Sequence, residues 1–209
     1  MKYVDHLQWR YATKKYDATK KVPEEKIEYI KKAIQLSASS YGQQPYQVIE
    51  IKDPELRKPL KPMSWNQNQI TDASHLFVFA NKVLVTEGDV DNSIQLRADV
   101  NKIPIDKIAG YGEFVKGKLQ EKSKEEMFHW TAKQAYIGLA NALSACVELK
   151  VDSTPIEGFE PEDYNEILGL TEKGLNACVL LAVGCRHDED VAQHNKKARK
   201  SVESIFQTV

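Results

Sequence analysis

The chain has 209 residues, 29 lysines and arginines against 30 aspartates and glutamates, and a formal charge of -1. That balance argues against a global nucleic-acid or membrane field, so any anion site must be local. With 42% hydrophobic residues the chain is too rich in core formers to be disordered, and its length suits one domain, residues 1–209.

In chain order, the opening MKYVDHLQWRYATKKYD is charged throughout and lacks the apolar stretch of a secretory leader. A short helix is expected from Asp5 to Arg10. Pro23 before Glu24 and Glu25 marks a helix entry, and Ile27, Ile30, Ala33 and Ile34 follow at helical spacing. That helix should end near Ala38–Gly42, and Tyr46–Lys52 reads as a short strand. Two apolar runs, Leu76–Ala80 and Ala177–Val183, read as strands buried on both faces. Between them, Asp89–Tyr111 is polar and weakly patterned around Pro104 and suggests only short helices; Glu113–Lys122 reads as helical.

The strongest helix is Glu125–Lys150, whose apolar residues run almost all round, so it must be covered on several sides. A single domain of this length can supply that cover, and a second subunit supplies it more easily. The window Thr131–Leu149 carries Lys133, Gln134, Asn141 and Glu148, which makes it a core helix and not a membrane span. A loop, VDSTPIEGFEP, a short helix at Pro161–Leu168 and the tail HNKKARKSVESIFQTV complete the chain. The pattern is α+β, a small mixed sheet among helices. Three cysteines without paired spacing read as reduced thiols in a cytoplasmic protein.

Many familiar sites are missing. There is no GxGxxG, no GxxxxGK[ST] and no GxSxG, and the five histidines lack HxxxH or HExxH spacing, so no metal site is expected. Three unusual segments remain. Arg10–Asp17 places cations at a helix end, where they either cap it or bind an anion. Ser37–Tyr46 is a polar, turn-forming connection. In Pro155–Phe159, Gly158 permits close backbone approach. The tail adds Lys196, Lys197, Arg199 and Lys200 without interleaved aromatic residues, which does not suit nucleic acid. These residues support a local anion site in a dimeric α+β protein and name no reaction.

Taken together and in order, the segments resemble the FMN-dependent NAD(P)H nitroreductase family, in its oxygen-insensitive bacterial branch. The matching pieces are RxxTKxYD at Arg10–Asp17, SxSSxxxQPY at Ser37–Tyr46, NxxxxxDASH at Asn66–His75, WxAKQxY at Trp130–Tyr136, PIEGF at Pro155–Phe159 and NKKAR at Asn195–Arg199. The resemblance implies a nitroreductase-like fold and a homodimer with two FMN sites at its interface. It also implies that the C-terminal segment, with a short β-like stretch at Ser201–Val209, is exchanged with the partner. On its terms Arg10, Lys197 and Arg199 bind the FMN phosphate, and Tyr11 and Ala12 line it through their backbone. Lys14 approaches the pyrimidine edge and is the candidate catalytic residue. Asn66 and Gln69 sit near that edge with Gln134 close by. Pro155, Ile156, Glu157 and Gly158 cover one ring face, and Ser39, Ser40 and Tyr41 come from the other subunit.

The family's usual chemistry is a ping-pong cycle in which NADH or NADPH reduces the flavin, and a nitroaromatic, quinone or other flat electrophile then takes two electrons. Flavin, pteridine or enoate reduction on the same scaffold, or flavin binding without turnover, are the alternatives. Tyr11 and Ala12 stand where the branch often has His-Ser, and Gln69 where it often has lysine. Residues 83–119 match poorly, so the physiological substrate and the choice of NADH or NADPH do not transfer; Arg97 and Phe114 are candidate substrate residues there.

Overall fold

A computed structural model describes residues 2–209. In chain order its elements are α1 (Lys2–Trp9), α2 (Glu24–Gln35), β1 (Tyr46–Ile51), α3 (Pro54–Leu60), α4 (Gln69–Asp72) and β2 (His75–Lys82). Then come α5 (Glu87–Asn101), α6 (Ala109–Gln120), α7 (Lys124–Glu148), β3 (Asp152–Ile156), α8 (Pro161–Ile167), β4 (Leu175–Gly184) and α9 (Val202–Ile205). The strands form one sheet in the order β1-β2-β4-β3.

The two apolar runs are the inner strands, and their alternation explains why both are continuous. On β2, Leu76, Val78 and Ala80 face one core with Leu180 and Ala182 of β4, packed against Leu60, Tyr164 and Leu170. Phe77 and Phe79 face the other way with Val179, Leu181 and Val183, against Ile27, Ile30 and Ile34 of α2 and Ala135, Leu139 and Ala142 of α7. A sheet covered on both faces has no polar side to alternate with. Burying each Phe or Leu contributes about 1.5–3 kcal/mol. A third core, Val90, Ile94, Val115, Leu119 and Met127, joins α5 and α6 to the start of α7.

Several expectations need correction. The strand pairings are antiparallel throughout, not mixed. The parallel contact among the described residues is the isolated bridge between Ala12 and Ser153, which lays the Arg10 loop along β3. The polar stretch after Val85 is one 15-residue helix, α5, started by a capping box between Thr86 and Asp89. Its buried stripe is only Val90, Ile94 and Ala98, too narrow to read as a strong period. The VDSTPI segment is not a loop but the edge strand β3; at an edge, Pro155 can be tolerated where a central strand could not hold it. The tail forms one helical turn, α9, capped by Ser201 and not β-like. In a single chain it has no strand to pair with.

The helix α7 is only partly covered. Tyr136, Ile137 and Ala140 lie exposed on it; Tyr3, Val4 and Leu7 are exposed on α1, which is tied to α7 by a 2.9 Å hydrogen bond between Tyr3 Oη and Ser144 Oγ. Val202, Ile205 and Phe206 of the tail are also exposed. Among the described residues no helix is long and apolar enough to cross a membrane, and no cluster of three His, Cys, Asp or Glu could hold a metal.

Candidate functional site

The chain ends of α1 and β3 and the segment after β4 converge on one cleft of about 440 Å³, lined by Arg10, Tyr11, Ala12, Pro155, Lys197 and Arg199 among others. Thus two of the three unusual segments and the basic tail, nearly 190 residues apart at the extremes, meet in space. Among the described residues, four cations and no carboxylate line the cleft.

Arg10 is half-buried. Its Nη2 donates to the carbonyls of Tyr11 and Ser153, both at 3.4 Å, while its buried Nε has no hydrogen-bond partner among the described residues. Burial pushes the guanidinium below its ordinary pKa, and Arg199 adds repulsion. The Lys197 ammonium donates to the carbonyls of Leu7 and Arg10, closing the C-terminal end of α1. It too is shifted down, by desolvation first and then by Arg10 and Arg199. Arg199 is exposed and, among the described residues, donates only to its neighbour's carbonyl, Ala198 O, at 2.6 Å. Three mutually repelling cations with a buried unmet donor form a site that an anion would relieve.

Two residues outside the sequence reading organise this cradle. Asp190 is buried and accepts from Tyr11 Oη at 2.9 Å, Lys14 N at 2.8 Å, Lys15 N at 3.2 Å and Ala192 N at 3.1 Å. It ties the Tyr11–Lys15 turn to the segment carrying Lys197 and Arg199. Burial acts to raise its pKa, but these four donors outweigh that and hold the carboxyl below the usual range. The Tyr11 hydroxyl is pushed up to about 12, by desolvation and by its bond to Asp190. Arg186 lies between two rings, 4.6 Å from the centroids of Trp9 and Tyr11, with its Nε 2.8 Å from Asp152 Oδ1. It therefore grips the residues on either side of Arg10. In sequence, Asp190 is one acid within DED and Arg186 one arginine after a strand, so neither stood out.

A second group surrounds the end of β3. Gln67 Nε2 donates to Gly158 O at 2.8 Å, and the Trp65 ring lies so close that a Cβ on Gly158 would come within 2.7 Å of it. Trp65 and Asn66 both have positive φ, 52° and 56°. Left-handed backbone at two consecutive non-glycine residues is strained and is held here by the Gly158 contact and by Trp65 Nε1 donating to Glu160 at 3.0 Å. Glu157 accepts from Tyr136 Oη at 2.5 Å. Ile156 is buried in the sheet, and Gln69 is buried in α4. The Lys14 side chain is exposed.

The third group is separate. Ser40 N donates to Gln134 Oε1 at 2.8 Å, which ties Gln134 to the Ser39–Tyr41 connection. Ser40 precedes β1 and Gly158 follows β3. Those strands are opposite edges of the sheet, three spacings or about 14 Å apart. Tyr41, with φ 57°, packs edge-on against Phe114 at 6.4 Å and lies 6.3 Å from Trp130. Arg97 stands over Tyr111, which stacks on Phe114.

A nitroreductase family model matches residues 7–185. The chain belongs to the nitroreductase family. That makes it an oxidoreductase. A major NAD(P)H-flavin oxidoreductase of Aliivibrio fischeri is 34% identical over 210 residues, covering 97% of this chain and 96% of that protein. A Bacillus subtilis protein named as an NAD(P)H nitroreductase, YfkO, is 33% identical over 217 residues, 99% of this chain and 96% of its own. Among solved structures, one from Staphylococcus epidermidis described as an NAD(P)H:FMN oxidoreductase superposes with a TM-score of 0.85 at 18% identity, covering 99% of this chain and 95% of the other. A nitroreductase from Exiguobacterium sibiricum in complex with FMN gives 0.83 at 17%, covering 99% and 97%. At these identities the structures show the shared nitroreductase fold.

Proposed function

We propose that this nitroreductase-family protein is an FMN-dependent homodimer that oxidises NADH or NADPH and reduces flat electrophiles, nitroaromatics and quinones among them, in a two-electron ping-pong cycle. The name of the Aliivibrio fischeri relative, an NAD(P)H-flavin oxidoreductase, keeps flavin among the candidate acceptors. The observation that carries the reading is the acid-free cleft in which Arg10, with its unmet Nε, meets Lys197 and Arg199. A phosphate monoester, with a charge of about -1.5 to -2, matches that set.

FMN would supply hydride acceptance and two-electron delivery. The chain's residues hold and tune it. Arg10, Lys197 and Arg199 would take its phosphate, with Tyr11 and Ala12 beside it. Asn66, Gln69 and the Pro155–Gly158 turn would frame the ring. Ser39, Ser40, Tyr41 and Gln134 would be contributed by the partner: they sit at the opposite sheet edge, and exposed apolar residues of α1, α7 and the tail await cover. Exchange of the C-terminal segment would supply part of that cover.

Sedimentation recorded at both protein and flavin wavelengths tests the reading. The expected result is about one FMN per chain travelling with a dimer. A colourless protein that takes up no added FMN refutes the function, and an FMN-loaded monomer refutes the shared site.

Lys14, whose backbone N–H is held by Asp190, would stabilise negative charge at the pyrimidine edge. A cation about 4 Å from a unit charge is worth roughly 4 kcal/mol at an effective dielectric near 20. Solvent at this exposed side chain leaves about 1–2 kcal/mol as the difference between redox states, so Lys14→Ala is expected to lower the flavin midpoint potential by about 20–45 mV. Spectroelectrochemical titration measures this; an unchanged or raised potential removes Lys14 from that edge.

A further inference from the structure

The arm formed by α5 and α6 carries two adjoining clefts, of about 510 and 590 Å³, that share Arg97, Asn101 and Tyr111. Their inner end is Tyr41, next to Ser40 and the proposed flavin-side group. The wall continues through aromatic rings: Tyr111 lies nearly parallel to Phe114 at 6.3 Å, and Phe114 meets Tyr41. A flat aromatic molecule suits such a wall.

The charge lining these clefts is one-sided. Arg97 and Lys107 line them, and among the described residues no carboxylate does. The Arg97 guanidinium sits 5.2 Å over the Tyr111 ring and, among the described residues, has no hydrogen-bond acceptor and no ion-pair partner. Nearby acids are engaged elsewhere. Asp91 and Glu113 pair with Lys116, at 2.7 and 2.9 Å, and Asp99 accepts from Gln95 at 2.8 Å. Asp106 flanks Lys107 on the exposed turn before α6 without lining either cleft. An arginine held on a ring face with its donor edge free is poised for a planar anion.

We propose that this double cleft reads negative charge on the flat substrate: Arg97, aided by Lys107, binds a carboxylate or phosphate carried by the molecule that the Tyr41–Phe114–Tyr111 wall receives. This rests on the oxidoreductase reading above. The anion could belong to an aromatic acceptor or, as the 2′-phosphate, to the nicotinamide donor.

Matched pairs separate these sources. In wild type and in Arg97→Gln, Arg97→Glu and Arg97→Lys, kcat/KM is measured for 4-nitrobenzoate against 4-nitrobenzamide, and for NADPH against NADH. The exposed site should give about a three- to tenfold fall in one anionic-to-neutral ratio for Arg97→Gln, a larger fall for Arg97→Glu and partial retention for Arg97→Lys. A fall confined to the nitrobenzoate ratio assigns the anion to the acceptor, and one confined to the NADPH ratio assigns it to the donor; either supports the proposal. The same four compounds are titrated against flavin-free protein by quenching of tryptophan emission, which needs no turnover. A wild type that reduces neither acceptor refutes the proposed function while the binding preference still decides the charge reading. Ratios and binding preferences that do not move in any variant overturn it.

Discussion

Arg10→Ala is expected to weaken FMN binding by about ten- to hundredfold, the loss of one charge-assisted phosphate contact worth roughly 1.5–3 kcal/mol. The same change should leave the thermal midpoint of the flavin-free protein unchanged or raised. The reason lies in what Arg10 does without a ligand. Its buried Nε is unpartnered among the described residues, its two carbonyl contacts are long at 3.4 Å, and Lys197 and Arg199 repel it. A desolvated cation in that setting stabilises the fold little, because the interactions that would compensate its desolvation are missing. A purely structural arginine would behave in the opposite way, losing stability and leaving the FMN dissociation constant in place. Titration of flavin-free protein with FMN, together with melting of the same sample, distinguishes the two. A dissociation constant within about twofold of wild type removes Arg10 from the phosphate site.

Asp190→Ala should act on both quantities at once. It leaves Tyr11 Oη and the backbone N–H groups of Lys14, Lys15 and Ala192 without their acceptor. Some of these groups gain water, so the expected cost is about 2–4 kcal/mol, or roughly 4–16 °C in thermal midpoint for a domain of this size. FMN affinity should also fall, because Asp190 joins the Arg10 loop to the Lys197–Arg199 segment. The carboxyl also has a pH signature. Its native pKa is depressed, so its contribution is complete above the unfolded value, near 3.9, and disappears as the pH falls through the lower native value. Asp190→Asn should be less stable than wild type at neutral pH and should lack that acid step. Equal loss of stability at pH 7 and pH 3 in the asparagine variant would show that the charge at Asp190 plays no part.

How much of this was legible in the sequence depended on range. The inner strands were readable because a strand covered on both faces must be apolar at every position, as Leu76–Ala80 and Ala177–Val183 are. The entry of α2 was readable because Pro23 and two glutamates are local signals. The strand β3 was not: its DSTPI composition is polar and interrupted by proline, and it is a strand only because β4 offers Leu180–Gly184 as a ladder. The helix α5 was hidden for a related reason. Its capping box is local, but the apolar stripe is one residue wide and gains its partners only when α6 folds onto it.

The candidate site divides in the same way. Residue types were available from the chain: cations at the end of α1 and in the tail, a turn-forming stretch at Ser37–Tyr46, and a glycine after Pro155. Their grouping was not. On α7, a helix of 3.6 residues per turn points position 134 toward Ser40 and position 136 toward Glu157, partners that no local pattern names. Asp190 and Arg186 carry no sequence signal because their role is to satisfy groups brought to them by distant segments, Tyr11–Lys15 in one case and the Trp9 and Tyr11 rings in the other.

The sequence alone thus determined the class of the protein, α+β, and the inventory of a local anion site, since apolar periodicity, caps and charge types are properties of short stretches. Only the tertiary structure decided which cations converge, that Arg10 keeps an unmet donor, and that the serine connection and the PIEG turn stand at opposite edges of one sheet. Those facts depend on strand order and on which backbone groups remain unsatisfied after the chain has closed on itself, and neither is encoded in any single segment.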